Sequence, residues 1–453
     1  MSSQFDLVVR GGRIVTPDGV RRADLGVAAG RIAKIAPEIG EDAAAVLDAG
    51  GRVVFPGILD AHVHFNEPGR AEWEGLATGP AALAAGGGAA FFDMPLNSEP
   101  PVLDAARLNE KRALAEAKSC LDFGLWGGLV PGNLDQLEGM RDAGAIGLKA
   151  FMCHSGIGSF PGVDAAALRA GMARAAKLGL LVAVHAEDDA MAAARTAALR
   201  GAGRTDARAY LDSRPVEVEL AAIRVALDLA GETRCALHIV HVSSPEGLAL
   251  IAAAKARGVD VTAETCPHYL LLTDRDVERL GAPAKCAPPL RDAARQQELW
   301  RRWRTGEVDT IGSDHSPAPP EMKTDRDFFA IWGGIAGCQH GFELLFSAVA
   351  ATAERDLPLL AATLARNVAR RFRIGRHKGE LAAGKDADFS LIEFGAEREI
   401  GAGELLTRHR LSPYIGMRSG ARITHTYVRG AAVWTDGKRA SPVPRGQFLR
   451  PGS

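Results

Sequence analysis

Eight short apolar runs alternate with Ala-rich segments dotted with Arg and Glu, and this alternation constrains the chain more than any other feature. The runs are VVFPGILDAHVHF, AAFFDMPLN, DFGLWGGLV, IGLKAFM, LLVAVHAE, ALHIVHVSS, VDVTAETCPHYL and VDTIGSDHSP. Strand-like runs separated by helical stretches predict parallel βαβ units, and eight of them predict a closed (β/α)₈ barrel. A doubly wound open sheet is the alternative, but no GxGxxG follows the first run. Most runs are apolar first and then close on His, Lys, Asp, Asn or Glu. Chemistry in such barrels sits where the strands end.

The two ends of the chain read differently. Residues 1–53 and 380–453 are short β segments with tight turns, such as DLVVRGGRIV, TPDG and DADFSLIEF. Neither end is long enough for a core of its own. They are expected to pair into one small β-sandwich domain beside a catalytic barrel over residues 54–379. A length of 453 residues suits that arrangement. A net charge of −1 gives no electrostatic case for nucleic acid or a membrane surface. No apolar stretch is long enough to span a bilayer, and the opening MSSQFDLVV lacks the pattern of a signal peptide. Six scattered cysteines with no CxxC pair predict free thiols in a reducing, cytoplasmic setting. Cys266 and Cys286 read as packing residues, since neither has an evident base partner.

The polar strand ends form a constellation. His62 and His64 are two apart on a strand, so both face one way and one metal ion can take both. His185 by itself reads equally as a packed core histidine. His238 and His241 are three apart, which puts them on opposite strand faces; His241, nearer the strand end, is the candidate, with His238 turned outward against a helix. Lys149 is ambiguous. On strand logic alone it is a lysine reaching solvent or a substrate anion. Buried, it would tend toward the neutral amine, which can take up CO₂ as a carbamate whose two oxygens could bridge two cations. Asp314 is either the N-cap of a following element or a ligand. Together these residues make the kind of donor set a two-metal hydrolase needs. Imidazole suits zinc, iron, cobalt or nickel.

At this point the chain resembles the cyclic amidohydrolases, a family that includes dihydroorotases, hydantoinases, dihydropyrimidinases and allantoinases. The resemblance rests on HVH after the first run, the lysine of GLKAFM, the single histidines of runs five and six, and SDH in run eight. It covers nearly the whole chain. HVHFNEPGRAEWEG, DMPLNSEPP, TCPHYL, KCAPPLRD, GGIAGCQ and SPYIG are similar to the allantoinase branch. Two stretches depart from the family pattern. GGGAAFF lacks β-branched residues after its glycines, and MCHSGIGSF has no tyrosine where hydantoinases place a substrate-contacting one.

The resemblance implies two divalent metal ions, zinc first and Co, Ni, Mn or Fe as alternatives. One would be held by His62, His64, Lys149 and Asp314, the other by Lys149, His185 and His241, with Lys149 carried as N6-carboxylysine. It implies ring opening of allantoin to allantoate by a metal-bridging hydroxide, with Asp314 moving the proton. It also implies a homotetramer. Dihydroorotase or hydantoinase activity is the rival reading, and a non-catalytic assembly protein the remote one. Asn66, Asn97, Ala287 and Gly334 are the expected substrate contacts. Asn66 stands where dihydroorotase-like sequences carry an arginine for a substrate carboxylate. His154, Ser155 and His268 are left without an assigned role.

Overall fold

The computed structural model describes residues 4–440 and 443–453; the first three residues of the opening stretch lie outside them. The eight apolar runs form eight parallel strands. In order they are Ile58–Val63, Gly88–Asp93, Asp122–Leu125 with Gly127–Gly128, Leu148–Phe151, Val182–His185, Leu237–Ile239, Val261–Thr265 and Thr310–Ile311. Each pairs in parallel with the next. The ring closes where Val63 bridges His315 and the His64 N–H donates to the His315 carbonyl at 2.7 Å. The expected (β/α)₈ barrel is therefore present, not the open sheet.

Local chemistry explains the helices between the strands. Asp104, Asp164, Asp188, Ser244 and Asp292 each accept a backbone N–H of the first turn that follows them, which satisfies one of the orphan donors at a helix start. Leu168, Met172 and Ala175 of helix Ala165–Leu178 are buried, while Arg169 and Lys177 stay exposed. This helix thus covers the barrel with one apolar stripe.

Strands from both termini are hydrogen-bonded into one nine-stranded sheet. Val53–Pro56 is its seam: it runs parallel to Leu7–Thr16 and antiparallel to Phe389–Glu399. The last residues leave this sheet. The Phe123 N–H donates to the Gln447 carbonyl at 2.9 Å, and the Leu449 N–H to the Phe123 carbonyl at 2.7 Å, so the tail lies along barrel strand three.

One buried ion cluster fastens the sheet to the barrel. The Lys378 ammonium lies 2.6 Å from Asp122, 2.9 Å from Asp386 and 2.7 Å from Asp388. Asp122 opens barrel strand three; Asp386 and Asp388 lead into the sheet. Arg429 also pairs with Asp122. These three aspartates could hold a cation, and the lysine already supplies it. Lys378→Met is expected to cost about 3 kcal/mol or more, because three carboxylates lose their shared buried cation. A denaturant midpoint equal to that of the parent chain would contradict this role.

Candidate active site

Four strands end in residues of left-handed backbone: Asn66 (φ 65°), Asn97 (φ 68°), His241 (φ 41°) and Asp314 (φ 44°). Each costs a non-glycine residue on the order of 1 kcal/mol. Asn97, His241 and Asp314 all line the cavity at the mouth of the barrel. Gly312, two residues before Asp314, is required by space: a Cβ there would stand 2.9 Å from His62 Cβ and 2.8 Å from Glu264 Oε2.

The structure brings all six expected ligands to one cavity of about 460 Å³, which His62, His64, Lys149, His185, His241 and Asp314 line together. Asp314 Oδ1 lies 3.2 Å from His62 Nε2 and 3.4 Å from His64 Nε2. On the other side His185 Nδ1 faces His241 Nε2 at 3.0 Å. Lys149 is buried, and its Nζ has no hydrogen-bond partner.

Buried carboxylates decide which way two of the rings face. Glu264 Oε1 lies 2.7 Å from His62 Nδ1, and Glu187 Oε2 lies 2.8 Å from His185 Nε2. Burial alone would raise both acids, but their imidazole neighbours, with Arg214 for Glu187, hold each down to about 2. An ionised carboxylate only accepts, so those ring nitrogens carry the hydrogen. The opposite ring nitrogens, His62 Nε2 and His185 Nδ1, then face Asp314 Oδ1 and His241 Nε2. Burial also pushes His64, His185 and His241 below the usual imidazole range. Burial brings the Lys149 ammonium down to about 8 against the pull of Asp314 and Glu264. Asp314 runs the other way: burial raises its carboxyl, but the surrounding imidazoles hold it well below the carboxylate range. An orphaned buried amine beside closely spaced imidazole nitrogens and a carboxylate makes a donor set that fits divalent cations and a bridging anion.

The expectation for His238 is corrected. Strand six ends at Ile239 and His241 is left-handed, so strict alternation does not carry from one histidine to the other. His238 is fully buried and turns toward the same carboxylate as His62: its Nε2 lies 3.4 Å from Glu264 Oε2, and its Nδ1 is held at 2.7 Å by Thr262.

Of the expected substrate contacts, Asn97, Ala287 and Gly334 line the cavity, as do His154 and Ser155. The Asn97 amide also meets His64 Nδ1 at 3.3 Å. Asn66 is not among the lining residues; its amide reaches the Pro317 carbonyl at 3.5 Å. Its backbone φ of 65° gives it a turn role at the end of strand one. His268 is buried without a partner for either ring nitrogen, and burial lowers it to about 4. All six cysteines are free and buried. Burial raises the thiols of Cys266 and Cys286, consistent with packing.

Sequence reasoning missed Glu187, Glu264, Arg214 and Lys285. The two glutamates stand in the runs LLVAVHAE and VDVTAET, and the signal available was their place near strand ends. Lys285 donates to the carbonyls of Phe328 at 2.6 Å, Phe329 at 3.3 Å and Ile331. Lys323 donates to those of Trp332 and Gly334, both at 2.8 Å. Between them they fasten the 328–334 segment along the cavity wall.

Residues 53–433 match the amidohydrolase family. The chain is 52% identical to an allantoinase of Deinococcus radiodurans, covering 99% of both chains. It is 48% identical to an allantoinase of Solibacter usitatus over 98% of this chain and 97% of that one. Among solved structures, an L-hydantoinase (dihydropyrimidinase) from Arthrobacter aurescens superposes with a TM-score of 0.96 at 33% identity, covering 99% of this chain and 100% of the other. A D-hydantoinase superposes at 0.90 with 31% identity over the same shares.

Removing the carboxylate that orients His62 should loosen a bound ion without emptying the cavity of ligands. Glu264→Gln is expected to weaken divalent-metal retention by about 10- to 100-fold, read by equilibrium dialysis against a chelator. Unchanged retention would contradict the orienting role.

Proposed function

The chain belongs to the amidohydrolase family, and from that premise we propose that it opens the ring of allantoin by hydrolysis, giving allantoate. The observation that carries the chemistry is the unpartnered, buried Lys149 amine between two groups of imidazole nitrogens. His62, His64 and Asp314 would hold one divalent ion, zinc in this reading, and His185 and His241 a second, with Lys149 as its carbamate shared between them. Bound there, the ions would supply an activated water near neutral pH and polarise the ring carbonyl. Asp314, kept ionised by its imidazole neighbours, takes the proton from the attacking water and passes it to the leaving ring nitrogen. Asn97 and the backbone at Ala287 and Gly334 offer hydrogen bonds to amide groups of the ring and the ureido arm. Residues 54–379 act as the catalytic unit and residues 1–53 with 380–453 as its β support, in a cytoplasmic homotetramer that serves purine breakdown. No helix among the described residues is long and apolar enough to cross a membrane.

The cavity wall supports a neutral substrate. Arg200 pairs with Asp327 at 2.7 Å and Arg214 with Glu187 at 3.0 Å. Lys285 is occupied by backbone carbonyls. The wall therefore carries mostly paired charge, which favours a neutral substrate over a carboxylate. This argues against dihydroorotate more directly than Asn66 does. Full-length relatives named allantoinase, at 45–52% identity, support the choice of ring.

Allantoin, hydantoin and dihydroorotate offered to one metal-loaded preparation should be turned over with allantoin foremost and dihydroorotate least. A preference for dihydroorotate would overturn the substrate claim. Asp314→Asn should cut turnover by about 10²-fold or more; near-normal turnover would remove its proton role. Lys149→Ala should lose both metal and activity, and an intact two-ion site in that variant would rule out the shared carbamate.

A further inference from the structure

A second cavity, of about 560 Å³, opens at the opposite end of the barrel from the site described above. Its walls come from residues at or just before the starts of strands five to eight, among them Leu181, Ala236, Asp260 and Asp309. Four guanidinium groups line it, those of Arg234, Arg370, Arg371 and Arg373, against the two carboxylates Asp260 and Asp309. Both carboxylates are engaged: Asp260 by Arg371, and Asp309 by Lys255 and by the Ala263 N–H at 2.7 Å. The side chains of Arg234 and Arg370 make no hydrogen bond or ion pair among the described residues. Arg371 Nε is buried and lacks a partner. The rest of the wall is apolar, with Leu180, Leu181 and Phe372 buried against it. The cavity therefore offers unspent guanidinium donors next to hydrocarbon.

We propose that this cavity binds a small organic oxyanion, a carboxylate or phosphate carried on an apolar body. A guanidinium fork matches the two oxygens of either group, and each such bond is charge-assisted. The apolar wall would bury the hydrocarbon part, and the volume lies within the range of small-molecule sites. Two wall arginines, Arg234 and Arg373, hold left-handed backbone at φ 55° and 57°, a conformation that costs a non-glycine residue.

The test is calorimetric titration of the full chain with benzoate, phenyl phosphate and benzyl alcohol, which share one ring and differ in the polar group. At least one anion should bind saturably and the alcohol should not. The stronger of the two anions tells a carboxylate ligand from a phosphate one. Arg234→Gln with Arg370→Gln, which removes two unpaired surface cations, should weaken the anion by about tenfold or more while leaving the thermal unfolding midpoint in place. Saturable binding of neither anion would overturn the proposal. So would equal affinity in the double variant, which would place the anion at the catalytic mouth instead.

Discussion

Two buried carboxylates, Glu264 and Glu187, set the direction of the imidazoles on which the rest of the site depends. By fixing a hydrogen on His62 Nδ1 and His185 Nε2, they turn the other ring nitrogens toward Asp314 and His241. These nitrogens and the carboxylate crowd one another at 3.0 to 3.2 Å on the wall of one cavity. Lys149 Nζ adds a buried polar group with no partner. Each such orphan costs about 1–3 kcal/mol, and the left-handed turns at His241 and Asp314 add strain. A fold keeps unfavourable terms of this kind at one point when something that binds there offsets them.

The barrel makes that concentration possible. Parallel strands bring their carboxyl ends to one face, and ring closure through Val63 and His315 sets strand eight beside strand one. Asp60 secures the same junction, accepting from the Ser313 N–H at 2.9 Å and the His62 N–H at 3.2 Å. Gly312 lets the chain pass close over His62 and Glu264. At the rim, Lys285 and Lys323 spend their charge on backbone carbonyls, which fixes the wall.

Much of this was legible in the sequence because it follows from period and position. Eight apolar runs gave the ring of strands, and polar closing residues such as His62, Lys149 and Asp314 marked the chemical face. Strict alternation breaks between His238 and His241. Alternation holds only while the backbone stays extended, and the left-handed φ of His241 is not encoded in any local pattern. Glu187 and Glu264 escaped notice because their meaning lies in pairings across strands: Glu264 is 202 residues from His62. The place of Asn66 in its motif suggests a substrate contact, whereas its left-handed turn and its bond to Pro317 are tertiary facts. Which cations of the cavity are free could not be read from composition either, since Arg200 finds Asp327 only in the fold.

The central claim is that two cations share Lys149 at this mouth. Anomalous diffraction from crystals of the metal-replete protein, collected across the absorption edge of the bound metal, tests it most directly. The account predicts two peaks, one among His62, His64 and Asp314 and one between His185 and His241, with density continuing from Lys149 Nζ toward both. A single peak, or a Lys149 side chain that ends at its amine beside two peaks, would contradict it.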